Sequence, residues 1–476
     1  MPCWRTDIVT RFRWVFCQLD RLRRCLSGRI RKALDELPIT LDGTYERTLL
    51  DIDEDNWAYA YRLFQCIAVA SRPLQVEELA EFLAFDLGDE ENPRFNADWR
   101  PDDPEDAVLS TCSSLIAVVN VGDTKVVQFS HFSVREFLTS TRIAQGPISR
   151  FHISLEPAHL TITRACLAVL LLLDGSVNKS MMKNFPVAFY AARYWMGHAK
   201  FGNVSSDARD GIQRVFDPNE PYFSSWTLLN GYDDRRESIP ETPSTSTVTP
   251  LHLAAYHDLV DVAEWLIVSR SHDLDVLDGK NETPLYYASR RNNMNAAQVL
   301  IKHGADVNAP RDVDWCPLHI ASAGGHLEIS RLLIESGANV NAQPFIDSRP
   351  TPLSLASEEG HLEIVRMLLE NGADHNLRHW DETPLYRACT SDHFEVAELL
   401  LKYGADINAS GQHGDTVLHR ASMRGDQKVA RRLLEHGANV HVRSRQGETP
   451  LQVAMAEGEQ DMVQLLLQYG ADSSQT

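Results

Sequence analysis

Thr249-Pro250-Leu251-His252-Leu253-Ala254-Ala255 is the stretch on which the fold turns. It recurs as Thr283-Pro284-Leu285, Cys316-Pro317-Leu318-His319, Thr351-Pro352-Leu353, Thr383-Pro384-Leu385, Thr416-Val417-Leu418-His419 and Thr449-Pro450-Leu451, at steps of 34, 33, 35, 32, 33 and 33 residues. A second motif keeps phase with it: Gly304-Ala305-Asp306-Val307-Asn308, Gly337-Ala338-Asn339, Gly372-Ala373-Asp374, Gly404-Ala405-Asp406, Gly437-Ala438-Asn439 and Gly470-Ala471-Asp472. A fixed period of this length identifies a repeat architecture, and seven copies are beyond chance.

Each copy has a physical reading. Thr caps a helix, and Pro takes the first helical position, where its missing N–H costs nothing. The first helix must end in left-handed geometry, which Gly325, Gly360, Gly425, Gly458 or Asn292 supplies. A second helix carries apolar pairs such as Leu332-Leu333, Leu368-Leu369, Leu399-Leu400 and Leu465-Leu466. It stops at the Gly-Ala motif, and a polar turn leads to the next Thr-Pro. Two short helices cannot bury their apolar faces alone, so neighbours must stack. These residues resemble the ankyrin repeat from residue 249 to the end; only the first copy departs, with Ser271-His272-Asp273 in place of Gly-Ala-Asp. His252, His319 and His419 tempt a metal reading, but stacked elements lie ~10 Å apart. The expectation for them, and for His326, His361 and His393, is a hydrogen bond within their own turn.

Outward from the array, the chain of 476 residues leaves room for two further domains at ~150 residues each. It is 43% hydrophobic and 24% charged, which excludes a disordered, collagen-like or disulfide-scaffold chain. The eight cysteines contain no C-x-x-C and no metal-ligand spacing, and read as small apolar residues in a reducing compartment. The longest apolar run, Ala165 to Leu173, stops at Asp174 and falls short of the ~18–20 residues that span a bilayer. Asp7 and Asp20 interrupt the Arg-rich start, which argues against a transit peptide. The sequons at Asn178, Asn203, Asn281 and Asn408 are expected to stay idle. Net charge is −20, distributed as +4 over 1–50, −12 over 51–110, +1 over 111–248 and −13 over 249–476. Such a surface repels a phosphate backbone, so no nucleic acid is expected as partner.

Residues 55–145 read as helices Trp57 to Ala70, Val76 to Phe85 and one opened by Pro104, then a hairpin of 115–119 and 125–129 across Gly122-Asp123. Ser133-Val134-Arg135-Glu136 has the spacing of a capping box for another helix. Helices followed by a β-wing resemble a winged helix, although the third helix lies in the most acidic stretch and is unsuited to DNA. A further resemblance rests on Arg13-Trp14-Val15-Phe16-Cys17-Gln18-Leu19-Asp20, Leu34-Asp35-Glu36-Leu37-Pro38, Thr44-Tyr45-Glu46-Arg47, Phe129 through Leu138 and Tyr190-Ala191-Ala192-Arg193-Tyr194-Trp195. Over residues 10–235 these are similar to the region after the nucleotide-binding core of fungal NACHT–ankyrin proteins, NOD-like P-loop NTPases of the STAND type. The resemblance implies that His131 matches the winged-helix His that senses bound ADP. The chain has no G-x-x-x-x-G-K-[ST], and Gly279-Lys280-Asn281 lies in a repeat turn, so no cofactor is expected. H-E-x-x-H, G-x-S-x-G and G-x-G-x-x-G are also missing.

The sequence therefore predicts a mainly α protein: a helical tail over 1–40, a winged-helix-like domain over 41–145, a helical segment over 146–236, a linker over 237–247 and seven ankyrin repeats over 248–476. The expected function is a non-enzymatic protein–protein interaction scaffold without metal or membrane contact, cytoplasmic with the nucleus as second location. The alternative is a STAND-type signalling NTPase whose P-loop core is missing from this sequence. Variable turn tips and first-helix ends are the expected partner-binding positions: Tyr256, His257, Lys280, Arg290, Arg291, Trp315, Glu358, Glu359, His379, Trp380 and Arg424. Trp and Arg weigh most there, as hot-spot residues.

Overall fold

The computed structural model describes residues 40–86, 94–112, 114–173, 185–230, 248–270, 273–309, 315–343, 350–379, 381–411 and 414–472. The helical tail expected over 1–40, but for Thr40, and the linker expected over 237–247 lie outside them. The chain divides into two compact units, Met1–Ser244 and Thr245–Thr476.

In the first unit, α1 (Leu41–Leu50) is capped by Thr40, whose hydroxyl accepts the Gly43 N–H at 3.1 Å. α2 (Trp57–Val69), β1 (Leu74–Gln75) and α3 (Val76–Leu83) follow, then the two-residue strands β2 (Phe85–Asp86) and β3 (Arg94–Phe95), which pair with each other. α4 (Pro104–Cys112) leads into β4 (Ile116–Val121) and β5 (Thr124–Phe129), an antiparallel hairpin with Val118 opposite Val127. β1 adds to β5, giving the order β1-β5-β4. Three helices and a wing stand where the apolar periodicity puts them. The helix after the wing is a correction: α5 (Phe132–Leu138) is capped by the His131 side chain, which accepts the Ser133 N–H, and not by Ser133. Ser133 Oγ is instead 2.6 Å from His131 Nδ1 and 2.8 Å from the Tyr45 hydroxyl.

A helical layer completes this unit: α6 (Leu155–Leu170), α7 (Ala188–Ala199), α8 (Val204–Asp207), α9 (Arg209–Phe216) and α10 (Tyr222–Asn230). Trp195, Phe216, Phe223 and Trp226 form its aromatic core, and Trp226 Nε1 donates to the Ala192 carbonyl at 2.9 Å. The layer packs directly on the winged helix. The Tyr190 hydroxyl accepts the Ser71 N–H at 3.0 Å, and buried His198 reaches that hydroxyl at 2.8 Å and His159 at 2.9 Å. Glu81, only 3% exposed, accepts the Val187 N–H at 2.9 Å and pairs with Arg100. Glu81→Ala strands the Val187 N–H between layers, while half-buried Arg100 can reach water. The expected cost is about 2 kcal/mol, measurable by denaturant unfolding of this unit.

The second unit has seven helix pairs among its described residues: α11 (Pro250–His257) with α12 (Val260–Arg270), α13 (Pro284–Arg290) with α14 (Met294–Lys302), α15 (Pro317–Ala323) with α16 (Leu327–Glu335), and α17 (Pro352–Glu358) with α18 (Leu362–Glu370). Then come α19 (Pro384–Thr390) with α20 (Phe394–Lys402), α21 (Val417–Arg424) with α22 (Gln427–Glu435), and α23 (Pro450–Glu457) with α24 (Gln460–Gln468). First helices pack on first helices and second on second. The hydroxyls of Thr283, Thr351, Thr383 and Thr449 accept backbone N–H groups three residues on, as caps do. The left-handed turn falls at each expected residue, and also at Asp258 and Asp392, where Gly was absent.

The three Thr/Cys-x-x-His histidines do more than bond within their own turn. His252 Nδ1 accepts the Thr249 N–H at 3.2 Å, while Nε2 donates to the Glu282 carbonyl of the next pair at 2.9 Å. His319 repeats this with Cys316 and Ala342, and His419 with Thr416 and Glu448. Each is 2% exposed or less. A second set of links runs through the polar turns. Asn308 Oδ1 accepts the Asn339 N–H at 2.8 Å, Asn341 Oδ1 the Asp374 N–H at 2.7 Å, Asn376 Oδ1 the Asp406 N–H at 3.2 Å and Asn408 Oδ1 the Asn439 N–H at 2.8 Å.

Candidate functional site

Consensus positions of the array are spent on stacking, so the side chains left over define what it can touch. These lie at first-helix ends and turn tips. Tyr256 and His257 close α11, with rings 4.9 Å apart, and both are half-buried. Arg290 and Arg291 close α13, exposed; their guanidiniums lie 5.7 and 4.8 Å from the Tyr256 ring centroid. Arg290 also faces Glu282 at 3.4 Å and the Tyr287 ring at 5.5 Å. Stacked guanidiniums over tyrosine rings give repeats one and two a compact cationic, aromatic patch.

The neighbouring carboxylate is already committed. Burial works to raise Asp278, but hydrogen bonds from the Glu282 N–H, the Tyr287 hydroxyl and the Lys280 N–H outweigh it and hold its pKa below the usual carboxylate range. Lys280 itself is exposed at the turn tip, a peptide turn with no phosphate loop around it.

Trp315 does not project from its turn. It is half-buried and lies flat over His319, ring centroids 6.3 Å apart at 19°. Trp380 lies outside the described residues. Glu358 pairs with Arg387, which also faces Glu382 at 3.3 Å, so it is an internal charge more than a free one. Half-buried His379 has its pKa pushed down to about 4 by burial and then by Arg387. Glu359 and Arg424 are exposed; Arg424 donates to the Thr390 carbonyl at 3.1 Å.

Sequence reasoning did not single out Tyr287, Arg387 and Arg420, which share this face. Their signal was available, because each occupies the position after the motif's fourth residue, which in the other repeats is the aliphatic Leu253, Ile320, Leu355 or Val453.

The groups that could have been chemical are structural. Cys316 Sγ is 3.0 Å from His319 Nδ1, but burial raises the thiol and lowers the imidazole to about 4, leaving a neutral pair. Burial likewise pushes Cys66 and Cys389 up to about 12, which makes them poor nucleophiles. His131 Nδ1 is occupied in capping α5. Among the described residues no group of three or more His, Cys, Asp and Glu could hold a metal ion, and no helix is long and apolar enough to cross a membrane.

Comparison with known proteins divides the chain at the same place. A family model described as "Ankyrin repeats (3 copies)" matches residues 251–344, 343–411 and 409–476, and one described as "GPI inositol-deacylase, winged helix domain" matches 46–153. "Azaphilone pigments biosynthesis cluster protein L" of Monascus ruber is 31% identical over 294 residues, covering 58% of this chain and 61% of that protein. A "Putative ankyrin repeat protein" of Rickettsia felis is 30% identical over 90 residues, 17% of this chain and 30% of its own. The chain thus spans about three fifths of the first relative's length and under a third of the second's. The solved human ASB11 ankyrin repeat domain is 27% identical, with a TM-score of 0.40 over 47% of this chain and 99% of that one. The protein is mainly helical, with an N-terminal winged-helix domain followed by ankyrin repeats, a fold that generally mediates protein–protein interaction.

Proposed function

We propose that this chain is a non-enzymatic recognition scaffold whose seven ankyrin repeats bind a protein partner through first-helix ends and turn tips. One observation carries the reading. Arg291, Glu359 and Arg424 are exposed and make no ion pair among the described residues, at matching positions of an array whose consensus residues are otherwise consumed by capping and stacking. Tyr256, His257, Lys280 and Arg290 extend that surface over the first two repeats. Trp315 supports it from beneath by holding its turn against His319, His379 by closing its own turn with Glu382, and Glu358 by pairing with Arg387 of the fifth repeat. A cytoplasmic or nuclear site of action fits the free buried cysteines.

A photo-crosslinking residue is the test. Placed at 291, 359 or 424 in the full chain expressed in cells, it is expected to trap one discrete protein. Placed at Arg366, on a second helix, it should trap at least tenfold less of that protein. Equal capture at 366, or none at the three first-helix positions, overturns the reading.

A second reading has one observation in its favour. The winged-helix match over 46–153 is compatible with the NACHT–ankyrin resemblance, in which this region follows a nucleotide-binding core. On that reading the repeats sense a partner for a NOD-like switch, and His131 faces the nucleotide of a domain encoded upstream. An in-frame P-loop in the transcript before Met1 would establish it.

A further inference from the structure

The residue just before the left-handed turn is Arg291 in the second repeat, Glu359 in the fourth and Arg424 in the sixth. All three are exposed, and none has an ion pair among the described residues. Gly324 and Ser391 occupy the same position in the third and fifth repeats and add no charge, while Glu457 closes the row in the seventh.

Other arginines on these first helices, at positions not all equivalent, are paired. Arg290 is answered by Glu282, Arg387 by Glu358 and Glu382, and Arg420 by Asp415 at 3.7 Å. Those guanidiniums are answered within the array, whereas the outer row leaves three evenly spaced charges open to solvent, positive at 291, negative at 359 and positive at 424, with the negative Glu457 one repeat beyond. Neighbouring repeats stack ~10 Å apart, which spaces these charges at ~20 Å. Exposed charges of alternating sign admit one register of a complementary segment and repel the shifted ones.

Resting on the recognition reading above, we infer that the partner presents a segment with an acidic, a basic and an acidic residue at ~20 Å intervals. An extended segment reaches that interval in about six residues, a helix in about thirteen. The acidic residues face Arg291 and Arg424, and the basic one faces Glu359. Tyr256, against which Arg291 stacks, keeps that guanidinium from collapsing onto a neighbouring carboxylate.

The test is selection from two phage-displayed random libraries, linear 16-mers and helix-stabilised 30-mers, on the immobilised full chain. Enriched sequences are expected to carry acid–base–acid at five- to seven-residue spacing in the first library or twelve to fourteen in the second. A chain carrying R291E, E359K and R424E together should select base–acid–base. Peptides selected on the natural chain should bind the reversed chain at least tenfold more weakly, and recover when their own charges are inverted. All three positions are exposed, and although R424E gives up the bond to the Thr390 carbonyl, a retained cooperative melting transition verifies that the altered chain is folded. Peptides without such spacing, or the same peptides on both chains, sink the charge inference and leave recognition standing. No peptide enriched on either chain sinks the recognition reading as well.

Discussion

Acidification from pH 7 to 4 is expected to strip the repeat array of several kcal/mol, most of it through the three Thr/Cys-x-x-His imidazoles. Each holds Nδ1 as an acceptor for the cap N–H and Nε2 as the donor to the next repeat. A second proton on Nδ1 would point at a donor. Burial lowers all three pKa values, that of His319 to about 4. Because the unfolded chain takes up protons first, this stability is complete above the ordinary histidine pKa near 6.5 and is lost as the pH falls towards 4. His319 alone accounts for roughly 3 kcal/mol by then. His379, also lowered to about 4, adds in the same direction, and Glu382, raised by burial, works against it. The seventh repeat offers the control: Gln452 caps Thr449 with an Oε1 acceptor 2.9 Å from its N–H. Calorimetry at pH 7 and 4 should show a much smaller drop for the His252→Gln, His319→Gln, His419→Gln chain than for the natural one. Equal drops would place the acid sensitivity elsewhere.

Gly360→Val should cost about 4 kcal/mol, from two separate causes. At φ +78° an L side chain is strained, by ~1–2 kcal/mol and more for a β-branched one. A Cβ there would also lie 2.6 Å from His393 Cε1, in the next repeat, and overpacking adds ~1–3 kcal/mol. The melting temperature of the array should fall by about 10 °C. Adding His393→Ala removes the clash but not the strain, so about half the loss should return. Full recovery, or none, would show that one cause acts alone.

The array was legible because its grammar is local. Thr–Pro at a cap and Gly after a helix act within four residues, and a reader needs no tertiary knowledge to see them. Asp258 and Asp392 escaped because a short polar side chain can also accept left-handed geometry; Asp258 Oδ1 then accepts the Ala296 N–H at 2.9 Å. The α5 cap escaped because Ser-x-x-Glu looks complete in sequence, while an imidazole two residues earlier reaches the same N–H group. Whether Trp315 binds a partner or packs on its own turn is open in the sequence, because its support, the His319 ring, becomes its neighbour only when the turn folds. The candidate surface was legible at the ends of the first helices. Which of its charges cancel was not, since Arg387 meets Glu358 only across a repeat boundary.

The asparagine links between polar turns bear on how such a chain can change length. Every link joins one side-chain oxygen to the first N–H after the next Gly-Ala, so Asn341 would meet Asp406 as readily as it meets Asp374 if the intervening repeat were excised. In-register loss or duplication of a repeat closes the seam without a new interface having to arise. Recombination between the near-identical Gly-Ala motifs therefore leaves this seam closed, while it moves the outer-row charges on one side of the change by one step relative to those on the other. Variation in partner choice can then be inherited through copy number as readily as through point substitution.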